Sequence, residues 1–378
     1  MSKKKEKKKV AWQQGIAMVF YMLIGAVCGF FMVMYWDQHG DENQSFLIEM
    51  LSLVGLFLTM YLAIFVQVII HEAGHLIFGL LSGYQFSSFR IFGFMWIQEE
   101  GKIKLRRLSI AGTGGQCLMS PPDMVDGKIP VVLYNLGGSI MNVLTGAVFF
   151  MLFLVMGRTS FPAVIMIFFA VIGWMFAIMN GIPMRMGTVD NDGYNAWALM
   201  RNPEAMRAFW VQLKVVEQQS KGVRLKNMPD EWFTVPEDAA MKNSMVAVMG
   251  VFACNRQMDA ERFEEADRLM AHMLEIDSGM VGLHRNLMIC DRITIELMTE
   301  NRPNVLNEML GWEQQKFMKQ MKNFPSVLRT EYIYALLYRE DAALAEKYKA
   351  KFEKVAKTYP YQTDIQSERA LMELAEKQ

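Results

Sequence analysis

The feature that most constrains this chain is a long apolar segment with three ionisable side chains near its end. The run from Leu53 to Ile70 carries no charge, and Gln67 is its one strongly polar residue. It leads directly into His71, Glu72 and His75, within the sequence HEAGH. A charged side chain at the centre of a bilayer costs about 2.5–3.5 kcal/mol on insertion scales. These residues inside an apolar helix therefore indicate a specific chemical use.

Four stretches are long enough to cross a bilayer, which requires about 20 apolar residues. The predicted spans cover approximately residues 15–36, 46–81, 131–156 and 161–184. A basic arm, residues 1–14, precedes the first span, and residues 201–378 are rich in charge. The sequence therefore predicts an α-helical polytopic membrane protein. Its transmembrane domain covers residues 15–200, and its C-terminal domain is soluble and all-α.

The connectors between the spans predict the orientation of the chain. The first connector, DQHGDENQS, is acidic, whereas the second contains five basic residues between Arg90 and Arg107. The positive-inside rule then places the N-terminus, the second connector and the C-terminal domain in the cytoplasm. The HEAGH end of the second span lies toward the same face. We expect a multi-pass protein of the cell membrane, and its compact size favours a bacterial origin.

The HEAGH sequence has the spacing of a metal site. Residues four apart share one face of a helix, so His71 and His75 can direct two imidazoles at one ion. Glu72 lies beside that position, as in the HExxH motif of zinc metalloproteases. A catalytic zinc usually has three protein ligands, so a third is expected on another element. The end of the fourth span offers Asp190 and Asp192, although their surroundings also fit a simple turn.

Further elements accompany HEAGH along the chain. They are LGGSIMNVL with Gly138 and Asn142, the Asn-x-x-Pro element of Asn180 and Pro183, and the Asp192–Gly193 pair. Together with HEAGH in a membrane helix, they resemble the site-2 protease family of intramembrane zinc metalloproteases. The resemblance covers about residues 53–195. The segment between Pro183 and the aspartates is longer here than in the commonest form of that family.

This resemblance implies a function, a cofactor and a set of site residues. The implied activity is hydrolysis of peptide bonds in or near transmembrane segments of membrane proteins, or in small peptide precursors. The implied cofactor is one zinc ion per chain. The implied zinc ligands are His71, His75 and Asp192, and the implied general base is Glu72.

The choice between the two aspartates follows from the neighbouring glycine. Asp192 directly precedes Gly193, and a glycine lets the backbone turn sharply and approach the ion closely. Asp190 is then expected either to support the ligands without binding the ion or to face solvent near the membrane surface, with replacement of Asp192 by Asp190 as the open alternative. Asn142 and Asn180 are candidates for supporting or oxyanion-stabilising roles.

The connector after the second span predicts β-structure. Residues of about 85–112 alternate apolar and polar side chains around Glu100–Gly101, which is typical of a β-hairpin. In the resembled family, β-structure lies beside the active site and can pair with an extended substrate. The following segment, GTGGQCLMSPPDMVDG, contains several Gly and Pro residues and is predicted to be a loop.

The C-terminal domain, residues 201–378, has helical periodicity. Its segments ERFEEADRLMAHMLEID and DAALAEKYKAKFEKVAKTYP each resemble the second helix of a tetratricopeptide-like repeat. A simple helical bundle fits as well, because no fixed period is clear. We expect a peptide or protein partner at this domain. The chain has 39 basic and 39 acidic residues, so its net charge does not suggest nucleic-acid binding.

Two other functions are compatible with parts of the sequence. One is a catalytically inactive membrane scaffold whose C-terminal helices bind partner proteins, but the intact Glu72 argues against it. The other is a metal transporter, which needs a polar path through the spans. The first and third spans offer few side chains that bind metals, so the transporter is the weaker alternative.

Overall fold

The computed structural model describes residues 3–39, 46–99, 101–108, 114–157, 160–184 and 190–378. The chain forms two compact units. The first comprises Met1–Ile91, Gly112–Pro122 and Pro130–Arg201, and the second comprises Phe92–Ala111, Asp123–Ile129 and Asn202–Gln378. The helices of the first unit are α1 (Lys3–His39), α2 (Phe46–Leu81), α3 (Val131–Val155), α4 (Phe161–Gly181) and α5 (Asp192–Leu199).

Three described helices are long and apolar enough to cross a membrane. They are Leu47–Leu81 in α2, Val131–Val155 (α3) and Phe161–Gly181 (α4). These correspond to the second, third and fourth predicted spans and support a membrane protein. The first predicted span lies in α1, where the described apolar stretch, Met22–Gln38, is shorter. A fourth span therefore stays a prediction. Residues 3–14 of the basic arm continue α1 as helix.

The membrane helices of the first unit pack through small and aromatic residues. Gly74 of α2 faces Gly137 of α3 so closely that a Cβ on either would collide with the backbone of the other. Small residues at such crossings let membrane helices approach each other. Farther along, Phe31 of α1 packs edge-on against Phe153 of α3. The close crossing brings α3 against the turn of α2 that carries HEAGH.

Four short strands form two antiparallel pairs. They are β1 (Gln85–Ile91), β2 (Phe94–Glu99), β3 (Lys102–Arg107) and β4 (Gly115–Ser120). In the first unit β1 pairs with β4, from Gln85 opposite Ser120 to Ile91 opposite Gly115. In the second unit β2 and β3 form a hairpin, whose turn includes Gly101 at a positive φ of 77°.

The strands differ from the sequence-based expectation in two ways. The hairpin predicted over residues of about 85–112 is shorter in the structure, where it consists of β2 and β3. β1, at the start of the predicted range, is a separate strand before the hairpin. The segment GTGGQCLMSPPDMVDG, predicted to be a loop, contains β4, so that prediction was wrong. Its glycines disfavour a strand locally, and pairing with β1 overrides that tendency.

The second unit is formed mainly by the C-terminal helices. They are α6 (Pro203–Ser220), α7 (Ser244–Asp259), α8 (Phe263–Glu275), α9 (Gly282–Met298), α10 (Pro303–Met309), α11 (Trp312–Gln320), α12 (Pro325–Ile333), α13 (Ala342–Ala356) and α14 (Gln362–Ala375). A π-helical turn, Tyr334–Tyr338, continues α12. The β2–β3 hairpin joins these helices, since the Arg107 amide donates to the Thr358 carbonyl at 2.9 Å. The helical nature of the C-terminal domain is confirmed, whereas the choice between repeat and bundle stays a prediction.

Candidate metal centre

Three side chains from α2 and α5 converge on one point in the first unit. His71 Nε2 lies 3.0 Å from Asp192 Oδ2, and His75 Nε2 lies 3.4 Å from the same oxygen. The two imidazole Nε2 atoms are 3.2 Å apart. Both histidines are buried, and Asp192 is partly buried. The structure thus brings together the three residues predicted as ligands.

The remaining nitrogen of each imidazole is engaged with an oxygen acceptor. His75 Nδ1 donates to the Tyr134 carbonyl at 2.8 Å. His71 Nδ1 lies 2.7 Å from Asn142 Oδ1, which is an acceptor, so this nitrogen also donates. In a neutral imidazole the other nitrogen then carries a lone pair. Two Nε2 lone pairs and a carboxylate oxygen therefore face one another without a donor between them, which suits a cation.

The spacing of the three atoms fits a tetrahedral metal. Zinc binds imidazole nitrogen and carboxylate oxygen at about 2.0–2.2 Å, so neighbouring ligand atoms of a tetrahedral site lie about 3.3–3.6 Å apart. The observed separations of 3.0, 3.2 and 3.4 Å lie within or slightly below that range. A hydrogen-bonded second ring nitrogen is also the usual arrangement of a metal-binding histidine. The residues present therefore fit a bound zinc ion.

Asn142 of α3 connects His71 to a neighbour on α2. Its side-chain amide donates to Gln67 Oε1 at 2.7 Å and to the Gln67 carbonyl at 3.1 Å. The Gln67 amide in turn donates to the Phe169 carbonyl at 2.8 Å. Because the Asn142 amide group is committed to Gln67, its oxygen is fixed toward His71. This geometry fits the supporting role predicted for Asn142 rather than stabilisation of an oxyanion.

Gly138 provides the space that the His71 ring occupies. A Cβ at this position would lie 2.6–2.7 Å from three atoms of the ring, closer than Cβ contacts occur. Position 138 therefore accepts only glycine while His71 keeps its orientation. The sequence element LGGSIMN has a physical explanation here: Gly137 permits the helix crossing, Gly138 seats the ring, and Asn142 orients it.

Substitution of Gly138 by alanine is expected to weaken zinc binding. The added methyl group would displace the His71 ring, and loss of such supporting contacts typically costs about 10- to 100-fold in affinity. Competition with a chromogenic zinc chelator on the purified protein measures this. Gly55→Ala on α2 is the matched control, since its Cβ would meet its nearest neighbour at an ordinary 3.7 Å. Equal affinities for the two variants would contradict the role of Gly138.

Asp192 is positioned by the start of α5. Asn191 caps this helix, accepting from the Tyr194 amide at 2.9 Å, and its own amide donates to the Met179 carbonyl at 2.7 Å. A Cβ on Gly193 would collide with the Gly181 carbonyl at the end of α4. The close approach that the structure shows for this glycine is therefore to α4, while the predicted approach to an ion stays a prediction. Asp192, the first residue of α5, is thereby directed at the histidines.

The structure also places the remaining predicted residues. Asp190 lies outside the convergent group that the described residues form. The Asn180 amide donates to the Phe176 carbonyl of its own helix at 3.0 Å. Pro183 is exposed just after α4 ends. No hydrogen bond among the described residues joins the Asn180 side chain to the histidines, so an oxyanion role for it stays a prediction.

Glu72 lies beside the three convergent side chains and against β4. It is buried, with 8% of its surface exposed. A Cβ on Gly115, the first residue of β4, would lie 2.5 Å from Glu72 Oε1. Arg90 of β1 donates to the Gly115 carbonyl at 3.2 Å and holds the strand in place. The backbone of β4 is thus in close contact with the glutamate.

Comparisons with models of protein families, with curated proteins and with solved structures give no match. The chemistry of the site is therefore the basis for assigning a function to it.

Several residues of the site were not predicted as such from the sequence. Gln67 is four residues before His71, and its polarity within an apolar run was the available signal. Tyr134 acts through its backbone carbonyl, for which side-chain identity gives no signal. Gly115 and Arg90 reach the site through the pairing of β1 with β4, which involves residues far apart in sequence. Local patterns cannot identify such contacts.

Proposed function

We propose that this protein is an intramembrane zinc metalloendopeptidase. It hydrolyses peptide bonds in or near transmembrane segments of membrane proteins or small peptide precursors. The observation that carries the proposal is the convergence of His71, His75 and Asp192 beside the buried Glu72, at the end of a helix apolar enough to span a membrane.

Zinc is the metal that best suits the proposed reaction. When bound, zinc acts as a Lewis acid that polarises a peptide carbonyl and lowers the pKa of water. Two histidines and a carboxylate also hold iron(II) in non-haem oxygenases. A glutamate beside the ligands favours hydrolysis, because this reaction needs a base for water. The four free cysteines are not among the ligands.

Glu72 is assigned to proton transfer. As general base it takes a proton from water while the water oxygen attacks the carbonyl carbon of the scissile bond. It then gives that proton to the amide nitrogen as the carbon–nitrogen bond breaks. The Glu72 side chain, which projects from α2, is buried against β4, and this burial limits the access of bulk water to its carboxylate. His71 and His75 are held in fixed orientations by Asn142 and by the Tyr134 carbonyl.

We assign substrate presentation to β4. Within the first unit this strand pairs with β1 along one edge, and its first residue lies against Glu72. A helix hides its peptide bonds, so a membrane segment must become extended before cleavage. An extended substrate could pair by strand addition with the edge of β4 that none of the described strands occupies. That arrangement would place a substrate backbone next to the general base.

The proposed location is the cell membrane of a bacterium, with both termini in the cytoplasm. Cysteine labelling tests this orientation on a background in which the four native, buried cysteines are replaced. A cysteine at position 40, outside the described residues, is expected to react with an impermeant maleimide in intact cells. A cysteine replacing Asp230 in the second unit should react only after permeabilisation. The reverse pattern would contradict the orientation drawn from the positive-inside rule.

The proposed activity is tested by comparing membrane peptides in cells. We expect cells with the wild-type protein to contain cleavage products that cells with Glu72→Ala lack. The uncleaved precursors should accumulate in the variant. Identical peptide patterns, with both proteins present at equal levels, would instead favour the catalytically inactive scaffold whose C-terminal helices bind partners.

A further inference from the structure

A cavity of about 490 Å³ among the C-terminal helices is lined by many cationic side chains. They lie on α11 and α13 and in the segments that follow α11 and the π-helical turn: Lys319, Lys322, Arg339, Lys347 and Lys351. One carboxylate, Glu331, lines the same cavity. The five cations and one carboxylate leave four net positive charges around it. A cavity with one dominant sign of charge concentrates ligands of the opposite sign.

The positive charge of this cavity is poorly compensated by the protein. Within the described part of the chain, Lys319, Lys322 and Lys347 have no carboxylate at ion-pair distance. The Lys351 ammonium donates to the Lys322 carbonyl at 2.5 Å, and among the described carboxylates Glu331 interacts with it electrostatically but does not lie at ion-pair distance. Burial, and then the charge of Lys322, lowers the pKa of Lys351. An anionic ligand would relieve this repulsion.

The rest of the lining is apolar and aromatic. Ile293, Leu310, Met318 and Val327 supply apolar surface, and Tyr334 and Tyr348 supply aromatic rings. The volume lies within the range of about 300–1,000 Å³ that is usual for ligand pockets. A small inorganic anion would leave the apolar surface uncovered. A ligand with both acidic and apolar groups would use the whole lining.

The backbone beside this cavity is unusual. Tyr334 begins a π-helical turn, and Arg339 directly follows it. π-Helical turns are rare and occur frequently at functional sites. Here the turn places the Tyr334 ring in the cavity wall, and the Arg339 guanidinium lies over that ring at 5.4 Å. This second observation, independent of the charge, also points to a binding site.

We propose that this cavity binds an acidic peptide segment. Carboxylates of the peptide pair with the lysines and with Arg339, while an apolar side chain contacts the surface formed by residues such as Met318 and Val327. None of the lining residues belongs to the metal centre. The assignment therefore gives the C-terminal domain a ligand of its own, whatever reaction the metal centre performs.

The test uses the full-length protein in detergent and a fluorescein-labelled hexapeptide that alternates glutamate and leucine. Fluorescence anisotropy should show saturable binding that weakens as salt concentration rises. A peptide with glutamine in place of glutamate should bind at least about tenfold more weakly, because it lacks the charges that the lysines attract. This comparison uses only the wild-type protein and does not depend on the folding of any variant.

Two matched double variants locate the site. Lys319→Glu with Lys347→Glu reverses two charges in the cavity and should weaken binding about tenfold or more. Lys316→Glu with Lys354→Glu makes the same charge change on α11 and α13 but outside the cavity lining, and should change the affinity less than about twofold. Circular dichroism confirms that each variant is folded.

Three results would overturn the proposal. The first is no saturable binding of the glutamate peptide, and the second is equal binding of the glutamine peptide. The third is an equal loss of affinity in both double variants, which would mean that overall charge explains the binding. Titration with pyrophosphate completes the test: if pyrophosphate binds in the cavity and the glutamate peptide does not, the site is for phosphate groups and the peptide assignment is wrong.

Discussion

Replacing Glu72 with glutamine is expected to abolish peptide hydrolysis while the metal content of the purified protein stays unchanged. The amide keeps the shape of the side chain but cannot accept the proton of water. General acid–base groups typically contribute about 10²–10⁴-fold to a rate, so the loss should be at least about a hundredfold. Measurement combines metal analysis with cleavage of a substrate identified from the membrane-peptide comparison.

The matched control for this variant lies on the same helix. Glu49 is in the first turn of α2, far along the helix from His71, and Glu49→Gln makes the same chemical change. This variant should keep both its metal and its activity. Full turnover by Glu72→Gln would show that the glutamate is not the base. Loss of metal from that variant would show instead that Glu72 acts in binding the ion.

Asp192→Ala is expected to purify nearly free of metal and without activity. It removes one of the three convergent ligand atoms, and the two histidines that remain lack the negative charge that Oδ2 supplies. Asp190→Ala is the matched control, two residues away and outside the convergent group. It should keep its zinc and measurable activity. Metal analysis by mass spectrometry of both purified variants, loaded with zinc under identical conditions, measures the difference.

The opposite result would reassign the third ligand. If Asp190→Ala lost its metal and Asp192→Ala kept it, the aspartate roles would be exchanged. If both variants kept a full equivalent of zinc, the third ligand would lie outside this segment. Glu72 is a further carboxylate that interacts electrostatically with both histidines, and the metal content of Glu72→Gln then tests whether it is that ligand.

The parts of the site that the sequence predicted are those set by local geometry. His71 and His75 share a face because they are four residues apart on one helix. Their long apolar surroundings also predicted the membrane helix α2. The prediction of Asp192 as a ligand needed two further observations. They were its position after the end of a later span and the resemblance of the Asp192–Gly193 pair to a motif of a known family. Sequence alone did not exclude Asp190 as the third ligand. The structure shows that Asn191 caps α5 and thereby directs Asp192, the first residue of that helix, toward the histidines.

Other features depended on contacts that a single sequence does not reveal. β4 was predicted to be a loop because its segment contains glycines, yet Gly115 fits there because Glu72 leaves no room for a side chain. The Tyr134 carbonyl could not be identified, since every residue has a carbonyl. The first span is a different case, because α1 was predicted correctly as a helix while its crossing of the membrane stays a prediction.

The origin of the ligands has a consequence for folding. His71 and Asp192 are separated by 121 positions in the chain, and they belong to different helices. An ion held by both acts as a cross-link that forms only in the folded protein. By mass action, such a ligand stabilises the folded state in proportion to the logarithm of its free concentration. The free concentration of the metal would then determine the fraction of newly synthesised protein that is folded.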